Sequence, residues 1–189
     1  MSLPFEINRL PEIAVIAVSG GPWHDKMTVG GFAIETTFKS GPRQFLGIAA
    51  VRDTNCLFAI GLARFAEKQI ADGRCSLTVF ALHSGFEIYL TEHVPTWLGR
   101  GKRTGDGKLP ECFRTWKYLY ALYQEEKLRF IEEAEAGILH KLAVRTHELA
   151  KQAASVGESL WTPGQKGLLA CGQNLADLNL EANINSEKA

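Results

Sequence analysis

The sequence predicts an α/β domain built on a mixed, five-stranded sheet, and three observations support this. The segment EIAVIAV (12–18) is a nearly unbroken apolar run rich in β-branched residues, typical of a central strand covered on both faces. VGGFAIETTF (29–38) and RQFLGIAAV (43–51) lie on either side of Ser40-Gly41-Pro42, which predicts a hairpin. A helical pattern then separates these strands from SLTVFAL (76–82), which predicts a parallel pairing across a helical connection.

The remaining elements follow in order along the chain. Asp53-Thr54-Asn55 predicts the start of the first helix, and Asp72-Gly73 predicts its end. A short helix at 84–94, a glycine- and proline-rich excursion at 95–110, a helix at 111–125, a short strand at 127–131 and a helix at 138–155 complete the order βββαβααβα. We therefore expect a domain over 11–155 and a C-terminal extension over 156–189, packed on the domain or on a partner.

Composition excludes several classes of protein. The 189 residues are 46% hydrophobic and 22% charged, as in folded globular proteins, and basic and acidic residues number 21 each. Zero net charge excludes a globally basic nucleic-acid binder, although a local basic patch remains open. No apolar run approaches the length of a membrane helix, and the N-terminus lacks the apolar region of a signal peptide. The four cysteines form no CxxC pair, so we expect reduced, partly buried thiols in a cytoplasmic protein.

Seven motifs in this order resemble type-1 ribonuclease H. They are VSGG (18–21), VGGFAI (29–34), TNCLFAIGLARFAE (54–67), LHSGF (82–86), WLGRGKRTGDGK (97–108), TWKYL (115–119) and RTHELAKQA (145–153). The resemblance covers about 12–154 and implies a ribonuclease-H-like fold. Members of this family cleave the RNA strand of an RNA–DNA hybrid with two magnesium ions held by four carboxylates.

The family's carboxylate positions correspond here to Ser19, Ala59, His83 and His147, none of which is acidic. Magnesium requires oxygen ligands, and their negative charge supplies most of the attraction. The resemblance therefore implies a catalytically degenerate protein that needs no cofactor. One alternative is a zinc or other metal site formed by His24, His83 and His147, which would make the chain a divergent metal-dependent nuclease. The other is that these histidines only fill space and bond to Ser19 and the backbone.

The basic excursion is the strongest positive signal. Residues 97–117 hold six basic and two acidic side chains, a local charge of +4. The resemblance implies that this segment grips the nucleic-acid backbone, and that Thr54 and Asn55 approach it as well. The nucleic-acid contacts expected are Thr54, Asn55, Trp97, Arg100, Lys102, Arg103 and Lys108. The alternatives are a solvated loop whose Trp97 packs on the next helix, and a Thr54-Asn55 pair that only caps a helix.

Three functions follow from these patterns. The leading one is binding of duplex nucleic acid, an RNA–DNA hybrid or double-stranded RNA, without cleavage. The second is a divergent metal-dependent nuclease built on His83, His147 and nearby acids, with magnesium or zinc as its cofactor. The third is a protein-interaction module whose C-terminal extension binds a protein partner or a second copy of the chain. No membrane partner is expected.

Overall fold

A mixed sheet forms the centre of the computed structural model, which describes residues 12–41, 43–82, 85–131 and 137–178. Over these residues the sheet has seven strands: β1 (Ile13–Ser19), β2 (Trp23–His24), β3 (Met27–Thr36), β4 (Gln44–Val51), β5 (Leu77–Ala81), β6 (Leu128–Phe130) and β7 (Gly167–Gly172). The order across the sheet is β6-β5-β1-β3-β4-β7, and β2 pairs with β3. The β5 strand runs parallel to β1 and β6, and the other pairs are antiparallel.

Helices cover both faces of this sheet. They are α1 (Asn55–Ala71), α2 (Gly85–Ile88), a π-helical turn (Tyr89–His93), α3 (Val94–Gly99), α4 (Phe113–Gln124) and α5 (Gly137–Leu160). The apolar sides of α1 and α4 share one core cluster, and α5 packs on the opposite face with two smaller clusters. No helix in the described ranges is long and apolar enough to span a membrane.

The β1 strand is central because both of its faces are apolar. Ala14 and Ile16 belong to the core on the α1 side, whereas Ile13 and Val15 pack with Leu139 of α5. This alternation is the two-residue period of a strand, and the lack of polar residues explains why the segment reads as a continuous apolar run. All five residues from Ile13 to Ala17 are buried.

A glycine in β3 sets how closely α5 approaches the sheet. A Cβ atom at Gly31 would overlap the carbonyl oxygen of Ala150 and the backbone nitrogen of Ala154. Only glycine therefore lets the helix lie this close, and the small side chains of Ala150 and Ala153 complete the contact. Gly31 pairs with Ser19 of β1, so this close contact also fixes the height of α5 beside the end of β1.

The α/β class, the mixed sheet and the parallel strand after α1 are confirmed, but the count of five strands is wrong. The two additional strands carry weak sequence signals. The β2 strand has only two residues, Trp23 and His24, both exposed. The β7 strand, GLLACG, has no β-branched residue and no polar alternation, and it lies in a glycine-rich region.

Two boundaries also differ from the predicted ones. Helical structure continues beyond residue 94 to Gly99, with Pro95 in the first turn of α3 directly after the π-helical turn. The α5 helix continues to Leu160, so residue 155 lies within a helix. The β7 strand then pairs with β4, and Ala170 and Leu178 are buried against the domain.

Candidate nucleic-acid interface

The N-terminus of α1 is capped by a residue that differs from the one expected. Thr54 occupies the N-cap position and makes no side-chain capping bond. Instead the Asp53 carboxylate accepts hydrogen bonds from the backbone N–H and the side-chain amide of Asn55, both at 2.9 Å. An aspartate at this position satisfies a free N–H of the first turn, and its charge also suits the positive end of the helix.

Asn55 is further engaged by the π-helical turn. Its amide nitrogen donates to the Tyr89 hydroxyl at 2.8 Å, and this hydroxyl lies 3.4 Å from the second Asp53 oxygen. Burial and the nearby Asp53 charge raise the pKa of Tyr89, so the phenol stays protonated. Because both amide hydrogens of Asn55 have internal acceptors, its side-chain oxygen is the group left for a nucleic acid.

A carboxylate after the excursion joins that segment to α1. Glu111 accepts hydrogen bonds from the backbone N–H groups of Arg52, at 2.9 and 3.0 Å, and of Asp53, at 2.7 Å. The Cys56 thiol also points at Glu111, with Sγ 3.7 Å from Oε2. Glu111 thus holds the end of the excursion against the end of β4 and the start of α1.

Two thiols lie at the same junction. A hydrogen bond with Cys112, together with burial, raises the pKa of the Cys56 thiol, and the charges of Glu111 and Asp53 act in the same direction. Cys56 is therefore an inert, protonated thiol, in line with the buried cysteines expected from the sequence. Both Cys56 and Cys112 are free thiols, and only Cys75 among the four is exposed.

The tip of the excursion is an ordered turn. The Thr104 N–H donates to the Lys108 carbonyl at 2.8 Å, and the Gly107 N–H donates back to the Thr104 carbonyl at 3.0 Å. The Asp106 carboxylate accepts a hydrogen bond from the Thr104 hydroxyl and forms an ion pair with Lys108 at 3.1 Å. These two partners, Thr104 first, lower the pKa of Asp106 to about 2.

The turn presents its cations to solvent. Arg100, Lys102, Arg103 and Lys108 are all exposed. Arg103 bonds to the Gly107 carbonyl and keeps its charge, whereas Lys108 is partly neutralised by Asp106. Arg100, Lys102 and Arg103 are therefore the cations most available to phosphates.

Trp97 packs within the protein. Its ring stacks on His93 at 6.0 Å and meets Tyr89 and Phe113 edge to face. Phe113 opens α4, so Trp97 packs on the helix that follows the excursion, which was the structural alternative for this residue. Trp97 anchors the base of the excursion and keeps only part of its surface in solvent.

The described positions that correspond to the family's carboxylates lie on two faces of the sheet. Ser19 pairs with Gly31, whose Cβ position faces Ala150 of α5, so the Ser19 side chain points to the α5 face. Arg145 faces the β4 side of α5. His147 lies 200° further around the helix, and it therefore lies on the other flank, beside β1 and β5. Ala59 is fully buried in the core cluster on the α1 side. His83 lies outside the described residues.

His24 does not converge with His147. Its ring stacks on Trp161 at 5.3 Å, and Trp161 continues α5 through a bond from its N–H to the Gly157 carbonyl. Fourteen residues of helix separate Trp161 from His147, which is about 21 Å along the axis. The trio His24, His83 and His147 therefore loses one ligand, and no three His, Cys, Asp or Glu side chains in the described ranges form a metal-binding group.

The sequence did not indicate Tyr89 or Glu111. Tyr89 is one of several aromatic residues in its region, and the partners of Glu111 lie 58 and 59 residues away. Glu111 does follow Pro110 just before a helix, but that pattern predicts a local helix start and gives no sign of a distant contact.

No protein-family model and no curated protein matches the sequence. Solved structures do match, among them that of a type 1 RNase H. The foamy viral protease–reverse transcriptase in complex with dsDNA is 14% identical with a TM-score of 0.57, over 81% of this chain and 98% of that chain. The chain has a ribonuclease-H-like fold.

Two further structures with this fold also match. The foamy viral enzyme in complex with an RNA/DNA hybrid has a TM-score of 0.57 and 14% identity over 82% of this chain, which spans 21% of that one. LC9-RNase H1, a type 1 RNase H with the type 2 active-site motif, has a TM-score of 0.53 and 15% identity over 78% of this chain and 75% of its own. At such identities the likeness concerns the fold alone.

Proposed function

We propose that this chain binds duplex nucleic acid, an RNA–DNA hybrid or double-stranded RNA, and does not cleave it. The exposed, ordered turn that presents Arg100, Lys102 and Arg103 is the observation that carries the binding half of this proposal. Cations on a rigid protruding turn meet several phosphates without first losing the conformational freedom of a loose loop. Two of the similar structures are complexes with dsDNA and with an RNA/DNA hybrid, which supports a nucleic acid as the ligand.

The absence of cleavage rests on the residues at the corresponding positions. Ser19 offers a hydroxyl, His147 an imidazole, and Ala59 a buried methyl group within an apolar core. A pair of magnesium ions needs several charged oxygen ligands, and these three residues do not fit that requirement. The divergent nuclease has less support, since His24 stacks on Trp161 far from His147. The C-terminal extension is used within the chain through β7, which leaves less of it for a partner.

The test is the salt dependence of duplex binding, measured by fluorescence anisotropy with a labelled RNA–DNA hybrid and with double-stranded RNA. Four phosphate contacts predict a slope of about −3 to −4 in log affinity against log salt concentration. Replacing Arg100, Lys102 and Arg103 together by Ala should flatten this slope by about three units. The charge-matched control replaces Lys141, Lys151 and Lys166, which are exposed elsewhere, and should change the slope little.

Incubation of the same hybrid with magnesium or manganese completes the test. The wild-type chain should release no more product than buffer alone. Metal-dependent cleavage that persists through stringent purification contradicts the non-catalytic half of the proposal. Failure to bind any duplex at low salt contradicts the binding half and points to a protein partner.

A further inference from the structure

A cleft of about 1120 Å³ lies at the opposite end of α1 from the basic excursion. It forms because β7 ends opposite Leu46, which leaves the edge of β4 at Gln44 and Phe45 uncovered. The C-terminal half of α1 borders the cleft on one side of the sheet, and α5 borders it on the other. Along α1 the cleft is about 20 Å from Asn55, so it is separate from the candidate interface.

One wall of the cleft is held by a buried carboxylate. Glu35 is 3% exposed and accepts bonds from Arg145 at 2.8 and 3.1 Å, from the Thr146 hydroxyl at 2.8 Å and from the Gln44 amide at 2.9 Å. Four hydrogen bonds satisfy this carboxylate and the Arg145 charge balances it, so Glu35 is a structural element of the wall. Arg145 uses Nε and Nη2 in the pair, and its Nη1 remains outside it. The Gln44 side-chain oxygen likewise remains as an acceptor.

Gln69 is the residue that sets this cleft apart. It is 3% exposed and lines the cleft, yet no hydrogen bond in the described part of the chain involves its side-chain amide. The amide nitrogen and oxygen are not sealed in the core but open onto the cleft, where their hydrogen bonds are left to solvent or to a ligand. A ligand that accepts and donates a hydrogen bond in the cleft would supply the missing partner.

The other polar groups define the chemistry of that ligand. Lys68 is exposed at the cleft and belongs to no ion pair among the described residues, whereas Arg43 pairs with Asp72 at 3.4 Å. One cation is therefore left for an anionic group. Gln173 and Asn174, at the end of β7, add two more carboxamides to those of Gln44 and Gln69, although the Asn174 oxygen already accepts the Asp177 N–H at 3.0 Å. Carboxamides are the side chains that pair with donor–acceptor edges such as those of nucleobases.

We propose that this cleft binds a nucleoside monophosphate, with the base edge on the carboxamides and the phosphate on Lys68. The volume slightly exceeds the usual range for ligand sites, which suits a nucleotide in an open cleft. The same chemistry occurs in a free mononucleotide and in the phosphorylated end of a strand. The site is independent of the duplex-binding proposal, since it uses none of the same residues.

The test is calorimetric titration of the full chain with adenosine, guanosine, cytidine and uridine 5′-monophosphates. We expect saturable binding of at least one of them at micromolar to millimolar concentration. Lys68→Gln should weaken it about tenfold, and Gln69→Leu by a similar factor. Because Gln69 bonds to no other described side chain through its amide, Gln69→Leu should leave the melting temperature within about 2 °C of the wild type. A loss of nucleotide binding at nearly unchanged stability separates a ligand contact from a purely structural role.

Three comparisons complete the experiment. Lys117→Gln, a matched change on α4 away from the cleft, should bind like the wild type. The variant without Arg100, Lys102 and Arg103 should keep mononucleotide binding even where duplex binding is lost. If a 5′-phosphorylated oligonucleotide binds, and Lys68→Gln weakens that binding, the ligand is the end of a strand. If only the free nucleotide binds, the ligand is a small molecule. The proposal is overturned if no nucleotide binds at millimolar concentration, if inorganic phosphate competes equally well, or if both cleft variants bind normally.

Discussion

At the N-terminal end of α1, Asp53 and Glu111 accept hydrogen bonds from backbone and side-chain donors, whereas at the C-terminal end the Gln69 amide faces a cleft and bonds to no group within the described residues. The first end is a scaffold whose internal bonds hold the basic excursion in place. The second end contains a polar group that the protein does not satisfy itself. This difference teaches that the conspicuous motif, Thr54-Asn55, lies where the chemistry is largely internal, and the less conspicuous end has chemistry left for a ligand.

The largest expected effect is the loss of Glu35 at the cleft end. Glu35→Ala removes the acceptor of Arg145, Thr146 and Gln44 and leaves a small cavity, so we expect the free energy of unfolding to fall by about 3 kcal/mol. Arg145 is 54% exposed and can hydrate, which keeps the cost below that of a fully buried pair. Urea unfolding measures this change.

Glu158→Ala is the control for that change. Glu158 is exposed on α5, the helix that also contains Arg145, and its loss should alter the free energy of unfolding by less than about 0.5 kcal/mol. If Glu35→Ala is as mild as Glu158→Ala, the buried network contributes little and the cleft wall is not held by it.

The corresponding change at the N-terminal end is Glu111→Ala. It removes the acceptor of the Arg52 and Asp53 N–H groups, and we expect a loss of about 2 kcal/mol, since these donors are only partly buried and water replaces some of the bonds. Glu111→Gln retains one acceptor oxygen and should recover about half of the loss. Equal unfolding curves for the wild type and Glu111→Ala would show that the junction does not depend on this carboxylate.

These two carboxylates also mark how far the sequence alone could predict the molecule. The apolar β1 run and the helix over residues 55–71 were predictable because their patterns are local. Glu111 bonds residues 58 and 59 positions earlier, and Glu35 meets Arg145 across 110 positions, so neither contact has a local signal. The β7 strand was missed for a related reason: GLLACG acquires its structure from the edge of β4 rather than from its own pattern.

The candidate site was predictable only in part. The exposed cations of the excursion follow from composition, since charged side chains in a glycine-rich turn stay in water. Ser19 and His147 lie on the α5 side of the sheet, whereas Ala59 is buried on the α1 side, and the sequence pattern alone does not give these placements. The stacking of His24 on Trp161 had no signal, because it depends on where α5 ends relative to the β2 turn.

Cysteine labelling compares the two ends of α1 without altering stability. Cys56 lies in the first turn, buried, with a raised pKa, and Cys75 lies exposed just beyond the C-terminal end. A thiol with a raised pKa is protonated at neutral pH and is a poor nucleophile. Iodoacetamide should therefore modify Cys75 first, and it should modify Cys56 at least ~100-fold more slowly. Mass spectrometry of peptides after timed labelling gives both rates. Comparable rates at the two sites would mean that the N-terminal junction opens freely.

The smallest expected effect is the acid response of the excursion. The folded-state pKa of Asp106, about 2, lies below its ordinary value of 3.8, so protonation favours the disordered turn. The contribution of Asp106 is therefore fully present above about pH 4 and is lost as the pH falls toward 2. Nuclear magnetic resonance should show the Thr104 and Gly107 amide signals moving toward disordered positions over this interval. Asp106→Asn should abolish the Asp106 step, because its side chain does not titrate. If the step persists in Asp106→Asn, another group causes the acid response, and the order of the turn does not depend on the Asp106 carboxylate.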